Sequence, residues 1–137
     1  MAKLVLTNAV VKINSVDYST NVNQIEIAVT SDEVDTTAFS STGWRTVTGG
    51  LKSGSVTLSF HNDFAAAAID SVLWSALNTI ATVVVIPNGT AISSSNPSYQ
   101  FTALVNNVTP ISASIGDLVV QNLTWPISGE VVRGTTA

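Results

Sequence analysis

The segment from residue 51 to residue 60 alternates more regularly than any other part of the chain. Gly54, Val56, Leu58 and Phe60 fall on one side, and Ser53, Ser55, Thr57 and Ser59 fall on the other. Because successive side chains of a β-strand point to opposite faces, this period of two predicts a strand with one core face and one face of small hydroxyl groups. The hydroxyl face suits either an ordinary solvent-exposed sheet or a smooth, weakly polar wall. Solvated strands commonly carry lysine or glutamate as a guard against edge pairing, and beyond Lys52 this segment carries neither.

Further strands are predicted wherever β-branched residues run between turn residues. These segments are residues 3–13, 23–30, 79–86, 99–108 and 118–127. In the second of them Ile25, Ile27 and Val29 alternate with Gln24 and Glu26, which again separates a core face from a polar face. The sum predicts a mainly antiparallel β domain with one helix, built as two packed sheets in a sandwich or a distorted barrel.

Two further predictions concern the last strand. Leu123, Trp125 and Ile127 should face the core, with Asn122 and Thr124 opposite. Pro126 lacks the N–H that a ladder needs, so this part of the strand should be an edge or an end. Residues 128–137 are then expected to form a free C-terminal arm.

One helix is predicted to begin near Phe64, with the Asp63 carboxylate capping its first N–H groups. Its apolar stripe recurs at helical spacing and consists of Ala65, Ile69, Val72, Leu73, Ala76 and Leu77. Trp74 lies outside this stripe. It is either a residue at the rim of the core or an anchor for a neighbouring subunit, since tryptophan is enriched among the dominant residues of interfaces.

Composition excludes several classes of function. The 137 residues fit one domain, the net charge is −4, and the five basic residues are scattered, so a general grip on nucleic acid phosphates is not supported. There is no cysteine, and the longest apolar run, residues 80–86, is far too short to span a membrane. Only 10% of the residues are charged, which is low for a monomer and favours burial of surface between copies.

Candidates for catalysis are few. His61 is the single histidine, and its place between a strand and a helix favours a structural role over that of a general base. Asp32, Glu33 and Asp35 lack the glycine and the terminal glutamate of a calcium loop. We therefore expect no enzyme activity, no metal site and no cofactor.

Residues 30–52 combine this acidic cluster with Phe39, Trp44 and Arg45 in a stretch too long for an ordinary turn. Disordered segments are usually poor in aromatic and β-branched residues, which argues against simple disorder. The composition indicates a loop that packs when a partner arrives.

Several segments, in order, resemble the major tail tube proteins of long-tailed bacteriophages of the siphovirus type. They are EVDTTAFSSTGWRTVTGGLKSGSVTLSF, the helix DFAAAAIDSVLWSAL followed by ATVVVIP, then NPSYQFTAL, and PISASIGDLVVQNLTWPISGEVVR, which together cover most of residues 33–133. The resemblance implies two packed sheets and a flanking helix in a single domain, assembled as hexameric rings. The rings would stack into a tube through which DNA leaves the capsid, in a virion tail assembled in the host cytoplasm. It also implies a tape measure protein and a tail terminator as partners, with no membrane involved.

By this resemblance, residues 31–50 would be the inter-strand assembly loop. Its contacts would be made by Asp32, Glu33, Asp35, Phe39, Trp44 and Arg45, with the Arg45 guanidinium pairing to a carboxylate of an adjacent copy. The faces turned to the lumen would carry Gln24, Glu26, Ser53, Ser55, Thr57 and Ser59.

Two other classes fit the same profile. A capsid decoration or head-to-tail joining protein would also be β-rich, acidic and free of cysteine. A carbohydrate-binding module would use Trp44, Trp74 and Trp125 as sugar platforms, although Trp125 alternates with core residues and is expected to be structural.

Overall fold

The computed structural model describes residues 5–40, 42–65 and 68–136. Within these residues the chain forms seven strands and one helix, and no helix is long and apolar enough to cross a membrane. The strands are β1 (Val10–Ile13), β2 (Val16–Asp17), β3 (Val22–Asp35), β4 (Val47–His61), β5 (Thr79–Ile86), β6 (Ser98–Val105) and β7 (Val120–Gly134), and the helix is α1 (Ile69–Ala76). The mainly β fold with one helix is confirmed.

The strands form one antiparallel sheet in the order β2-β1-β5-β6-β7-β4-β3. The two sheets expected from the sequence are joined because β7 belongs to both. Its first half pairs with β4 from Val120 to Pro126, and its second half pairs with β6 from Ile127 to Gly134. Pro126, opposite Ser55, is the last residue paired with β4, so it lies within a long strand at the point where one ladder ends. A residue without an N–H is tolerated at such a point, which is why the proline does not terminate the strand.

Both halves of the sheet contribute to a single hydrophobic core, so their inner faces pack against each other. Val56, Leu58 and Phe60 of β4 are fully buried, as the alternation predicted. Leu123 and Trp125 of β7 are buried beside them. The Trp125 indole Nε1 donates a hydrogen bond to the Asn107 carbonyl oxygen at 3.1 Å, which satisfies its one polar atom inside the core.

The predicted C-terminal arm is wrong for residues 128–134. They continue β7 and pair with β6, with Arg133 opposite Tyr99 and Gly134 opposite Ser98. The β-branched Val131 and Val132 suit a strand, and β6 offers an edge that β5 does not occupy. Ala137 lies outside the described residues.

The helix begins later than predicted. α1 starts at Ile69, with Ala68 before it and no side-chain cap. The Asp63 Oδ1 instead accepts a hydrogen bond from the Ala65 N–H at 3.0 Å, which makes a local turn ahead of the helix. Ile69 and Leu73 are buried against the core as the stripe predicted, and residues 66 and 67 lie outside the described residues.

Candidate assembly interface

The hydroxyl residues of β4 share one face with polar residues of β3. Directly opposite pairs are Gln24 with Ser59 and Glu26 with Thr57, and Thr30 lies opposite Ser53. Residues opposite each other in an antiparallel ladder point to the same side of the sheet. The six side chains predicted to face the lumen, Gln24, Glu26, Ser53, Ser55, Thr57 and Ser59, therefore do lie on one face, and it is the face turned away from Val56, Leu58 and Phe60.

This polar face extends onto β7, which the sequence alone did not reveal. Asn122 lies opposite Ser59, and Thr124 lies opposite Thr57, with 3.2 Å between the two threonine hydroxyl oxygens. Ser59, flanked by Gln24 and Asn122, is buried on this face. The alternation of Asn122 and Thr124 was visible in the sequence, but nothing local to β7 indicates that β4 is its neighbour.

Among the residues of this face Glu26 alone carries a charge. The other members are Gln24, Ala28, Thr30, Ser53, Ser55, Thr57, Ser59, Asn122, Thr124 and Pro126. Short hydroxyl and amide side chains can form hydrogen bonds but provide no fixed cation for a phosphate. The surface is therefore polar and weakly anionic.

The segment predicted to be a loop is largely a β-hairpin. β3 continues to Asp35 and β4 begins at Val47, which lie opposite each other, and the Thr36 N–H donates to the Thr46 carbonyl oxygen at 3.0 Å. We call residues 30–52 the arm and residues 36–46 its tip. The arm forms strands despite its polar composition because the backbone N–H and C=O groups of β3 and β4 satisfy each other.

Arg45 binds carboxylates within its own chain. Its Nη2 lies 2.8 Å from Glu33 Oε1 and its Nε lies 3.7 Å from Asp35 Oδ2, whereas the sequence suggested a partner on an adjacent copy. The hairpin places the end of β3 beside Arg45, which lies two residues before β4, and this brings the charges together. Asp32 makes no ion pair among the described residues.

Asp35, at the base of the tip, is held by hydrogen bonds from the tip. The Thr37 N–H donates to its Oδ1 at 2.8 Å. Hydrogen bonds from Thr37, with a smaller contribution from Arg45, hold the pKa of Asp35 below its ordinary value. Within the described part of the chain, no three or more acidic, histidine or cysteine side chains are grouped so as to hold a metal ion.

The aromatic residues of the tip, Phe39 and Trp44, are largely exposed in the single copy. Phe39 is 110% exposed and Trp44 is 78% exposed relative to a reference residue. Trp74 is exposed on α1, so it lies outside the buried stripe as predicted. Trp125 has no exposed surface, which confirms its structural role and removes it as a sugar platform.

His61 lies at the end of β4, where its backbone N–H donates to the Asn21 carbonyl oxygen at 2.6 Å. Its carbonyl oxygen accepts a hydrogen bond from the Asn21 side-chain amide at 3.1 Å. The ring nitrogen Nδ1 is buried without a hydrogen-bond partner. The backbone of His61 therefore ties β4 to the turn before β3.

Comparison with known proteins shows similarity at the level of structure. No protein-family model matches the sequence, and no curated protein matches it significantly. A chain of the virion of a native gene transfer agent particle superimposes with a TM-score of 0.71 at 16% identity, covering 92% of this chain and 95% of that chain. A chain of the tail of an empty gene transfer agent particle, solved by helical refinement with C6 symmetry, gives a TM-score of 0.59 at 18% identity, covering 85% of this chain and 83% of that chain. The chain therefore has the fold of protein chains found in a gene transfer agent particle and in its tail.

Proposed function

We propose that this protein is a structural component of a phage-type tail. Copies form hexameric rings that stack into the tail tube, the conduit for DNA from the capsid to the host. The observation that carries the proposal is the fold shared with a chain of a tail that has C6 symmetry. The protein acts by assembly and not by catalysis.

The free edge of β3 supports a ring. β3 has fourteen residues and lies at the end of the sheet, so among the residues that the structure describes β4 is the one strand paired with it. Long exposed edges lead to uncontrolled strand pairing unless something covers them. In a ring of identical copies each edge meets the next subunit, and a head-to-tail contact of this kind closes when the rotation between copies divides a full turn.

The polar face supports a conduit. If it lines the lumen, each copy presents the hydroxyl and amide groups of β3, β4 and β7 together with Glu26, and it contributes a net charge of −4 to the ring. A wall of this kind has no cation positioned to hold phosphate, and its field repels DNA, so the polymer slides without sticking.

The arm and α1 supply the contacts between copies. In this assignment Asp32, Glu33, Asp35, Phe39, Trp44 and Arg45 contact neighbouring subunits, and Trp74 contacts another subunit from the helix. The tube would enclose a tape measure protein and end at a tail terminator, and it would be assembled in the host cytoplasm.

Electron microscopy of the purified protein tests the proposal. We expect negatively stained tubes with sixfold end views, and large species in size-exclusion chromatography coupled to light scattering. Isolated rings would favour a head-to-tail joining protein, and trimers that bind capsids would favour a decoration protein. A chain that stays monomeric at high concentration would refute assembly altogether.

A further inference from the structure

An apolar groove opens where β7 leaves β4. It is lined by Ile27 and Val29 of β3, Val131 and Arg133 of β7, and Tyr99 of β6, and it has a volume of about 420 Å³. The groove lies where β7 stops pairing with β4 after Pro126 and pairs with β6 instead, so residues of β3 and of the second half of β7 form its two sides. Val29 is 54% exposed as a result. A cavity of this size is in the range that binds large apolar groups.

The groove has a cationic rim. Arg133 Nε donates to the Tyr99 hydroxyl at 3.2 Å, which holds the guanidinium at the mouth. Lys52 borders the wider cleft of about 750 Å³ that continues from the groove, and Glu130 also lines that cleft. Neither Lys52 nor Arg133 makes an ion pair among the described residues. Lys52 and Arg133 carry two positive charges and Glu130 carries one negative charge, so the rim is net positive.

The tip of the arm has the complementary chemistry. Phe39 and Trp44 are large, rigid and exposed, and each can bury about 150–250 Å² on docking. At the base of the tip, Glu33 and Asp35 share the single guanidinium of Arg45, which leaves this end of the arm net negative. The end of the arm, with its net negative charge and two exposed aromatic residues, therefore suits an apolar groove with a cationic rim.

A copy cannot place its own tip in its own groove. The groove lies beside Val29, and β3 continues from there to Asp35 as a paired strand. A strand rises about 3.3 Å per residue, so the tip begins about 20 Å beyond the groove. A tip that enters the groove must therefore come from another copy.

We propose that the groove of one copy receives the Phe39 and Trp44 tip of a second copy. Donor and acceptor surfaces are different parts of the chain, so the contact is head-to-tail and repeats without closing on a pair. This inference rests on the proposed tube, for which it supplies the receptor of the arm.

Disulfide trapping tests the contact directly, because the natural chain has no cysteine. Ser40→Cys places a thiol in the tip beside Phe39, and Val131→Cys places one in the groove. The two variants are purified separately, mixed under oxidising conditions and run on a non-reducing gel. We expect a prominent heterodimer, since a disulfide forms only when the Cα atoms come within about 7 Å.

Val132→Cys is the matched control. It is the next residue of β7, it is also a valine, and its side chain points to the other face of the sheet. The mixture of Ser40→Cys with Val132→Cys should give at least about fivefold less heterodimer. Adding Phe39→Ala to the Ser40→Cys variant should reduce trapping at Val131, because the docking group is removed.

The outcomes separate this inference from the proposed function. Tubes in the microscope without heterodimer, or equal yields at positions 131 and 132, would overturn the tip-in-groove contact and leave the tube intact. Heterodimer at position 131 with only short chains in the microscope would support the contact and refute the tube. A groove that binds some other partner predicts no heterodimer, which also counts against the inference.

Discussion

The two halves of β4 differ although they belong to the same strand. Residues 55–61 have β3 on one side and β7 on the other, and their inner residues Val56, Leu58 and Phe60 are fully buried. Residues 47–54 pair with β3 alone in the described part of the chain, and Leu51 there is 81% exposed. The difference arises at Ser55, where β7 leaves.

The buried half of β4 therefore stabilises the fold of a single copy, and the arm is left free to contact other copies. An isolated two-stranded hairpin is at best marginally stable in water, so the arm gains little from burial within its own chain. Several of its large apolar side chains, among them Val47, Leu51 and Trp44, are exposed in the single copy. Exposed apolar surface of this kind usually marks an interaction site, which agrees with the proposed assembly role.

The largest loss of stability is expected for Leu58→Ala, with Leu51→Ala as its matched control. Both variants shorten a leucine of β4, one in each half of the strand. Leu58 has no exposed surface, so its truncation leaves a cavity and should cost about 3 kcal/mol in free energy of unfolding. Leu51→Ala should change that free energy by no more than about 0.5 kcal/mol. Urea denaturation of both variants under conditions that keep the protein monomeric measures the difference. Similar losses for both would mean that the arm is part of the folded core.

The next largest loss of stability is expected at Gly54, which lies at the border between the two halves of β4. A Cβ at this position would lie 2.9 Å from the Ala28 carbonyl oxygen and 3.2 Å from Ile127 Cδ1, so backbone would have to move. We expect Gly54→Ala to destabilise the protein by about 1–2 kcal/mol, in the range for overpacking.

Gly49 of the arm is the matched control for this substitution. A Cβ there would meet only the Ser31 hydroxyl at 3.4 Å, an ordinary contact. Gly49→Ala should be neutral, or stabilising by up to about 1 kcal/mol, because alanine reduces the freedom of the unfolded chain. Thermal unfolding of the two variants provides the measurement. A larger loss of stability for Gly49→Ala than for Gly54→Ala would mean that the close contacts at Gly54 do not limit its substitution.

The sequence predicted the buried half well and the arm poorly, for a physical reason. Around Val56 and Leu58 burial on one face imposes a period of two, and the same period places Trp125 in the core. In the arm no face is buried, so residues 31–35 and 47–50 carry no alternation that marks them as strands. These two segments pair through backbone hydrogen bonds to each other, and such bonds leave no pattern in the amino-acid composition.

The partners of β7 were also beyond local prediction. Pro126 signalled an interruption, but the sequence could not show that pairing passes from β4 to β6 at that point. The polar face was therefore predicted for β3 and β4, but its extension onto β7 was not predicted. Residues 128–134 appeared free because the edge of β6 that receives them lies far away in the sequence.

Within a single copy, Trp44→Ala should have a smaller effect than either core change. Trp44 is 78% exposed, so we expect the free energy of unfolding to change by no more than about 0.5 kcal/mol. Assembly should nevertheless be strongly impaired, because interfaces depend on a few large aromatic residues. Size-exclusion chromatography and electron microscopy of the folded variant provide the measurement. Normal tubes would show that Trp44 makes no important contact and would remove the main support for the arm as the assembly element.

The smallest expected effect is a pH dependence of the structure of the tip. It should change the amide signals of the arm and leave those of the core unchanged. Hydrogen bonds from Thr37 lower the pKa of Asp35 from its ordinary 3.8. A carboxylate whose pKa is lower in the folded chain stabilises the folded tip above that ordinary value, and the contribution is lost as the pH falls through the lower, folded value. The amide signals of Thr37 and Thr46 should therefore shift or broaden below about pH 3.8, while that of Leu58 stays unchanged.

Asp35→Asn separates this cause from general acid unfolding. An asparagine oxygen can still accept the Thr37 N–H, so the tip should remain ordered while its amide signals no longer respond to acid. If the signals of the Asn variant moved over the same pH range, another carboxylate would control the tip. If Leu58 moved with them, the arm and the core would open together, and the two halves of β4 would be one cooperative unit despite their different surroundings.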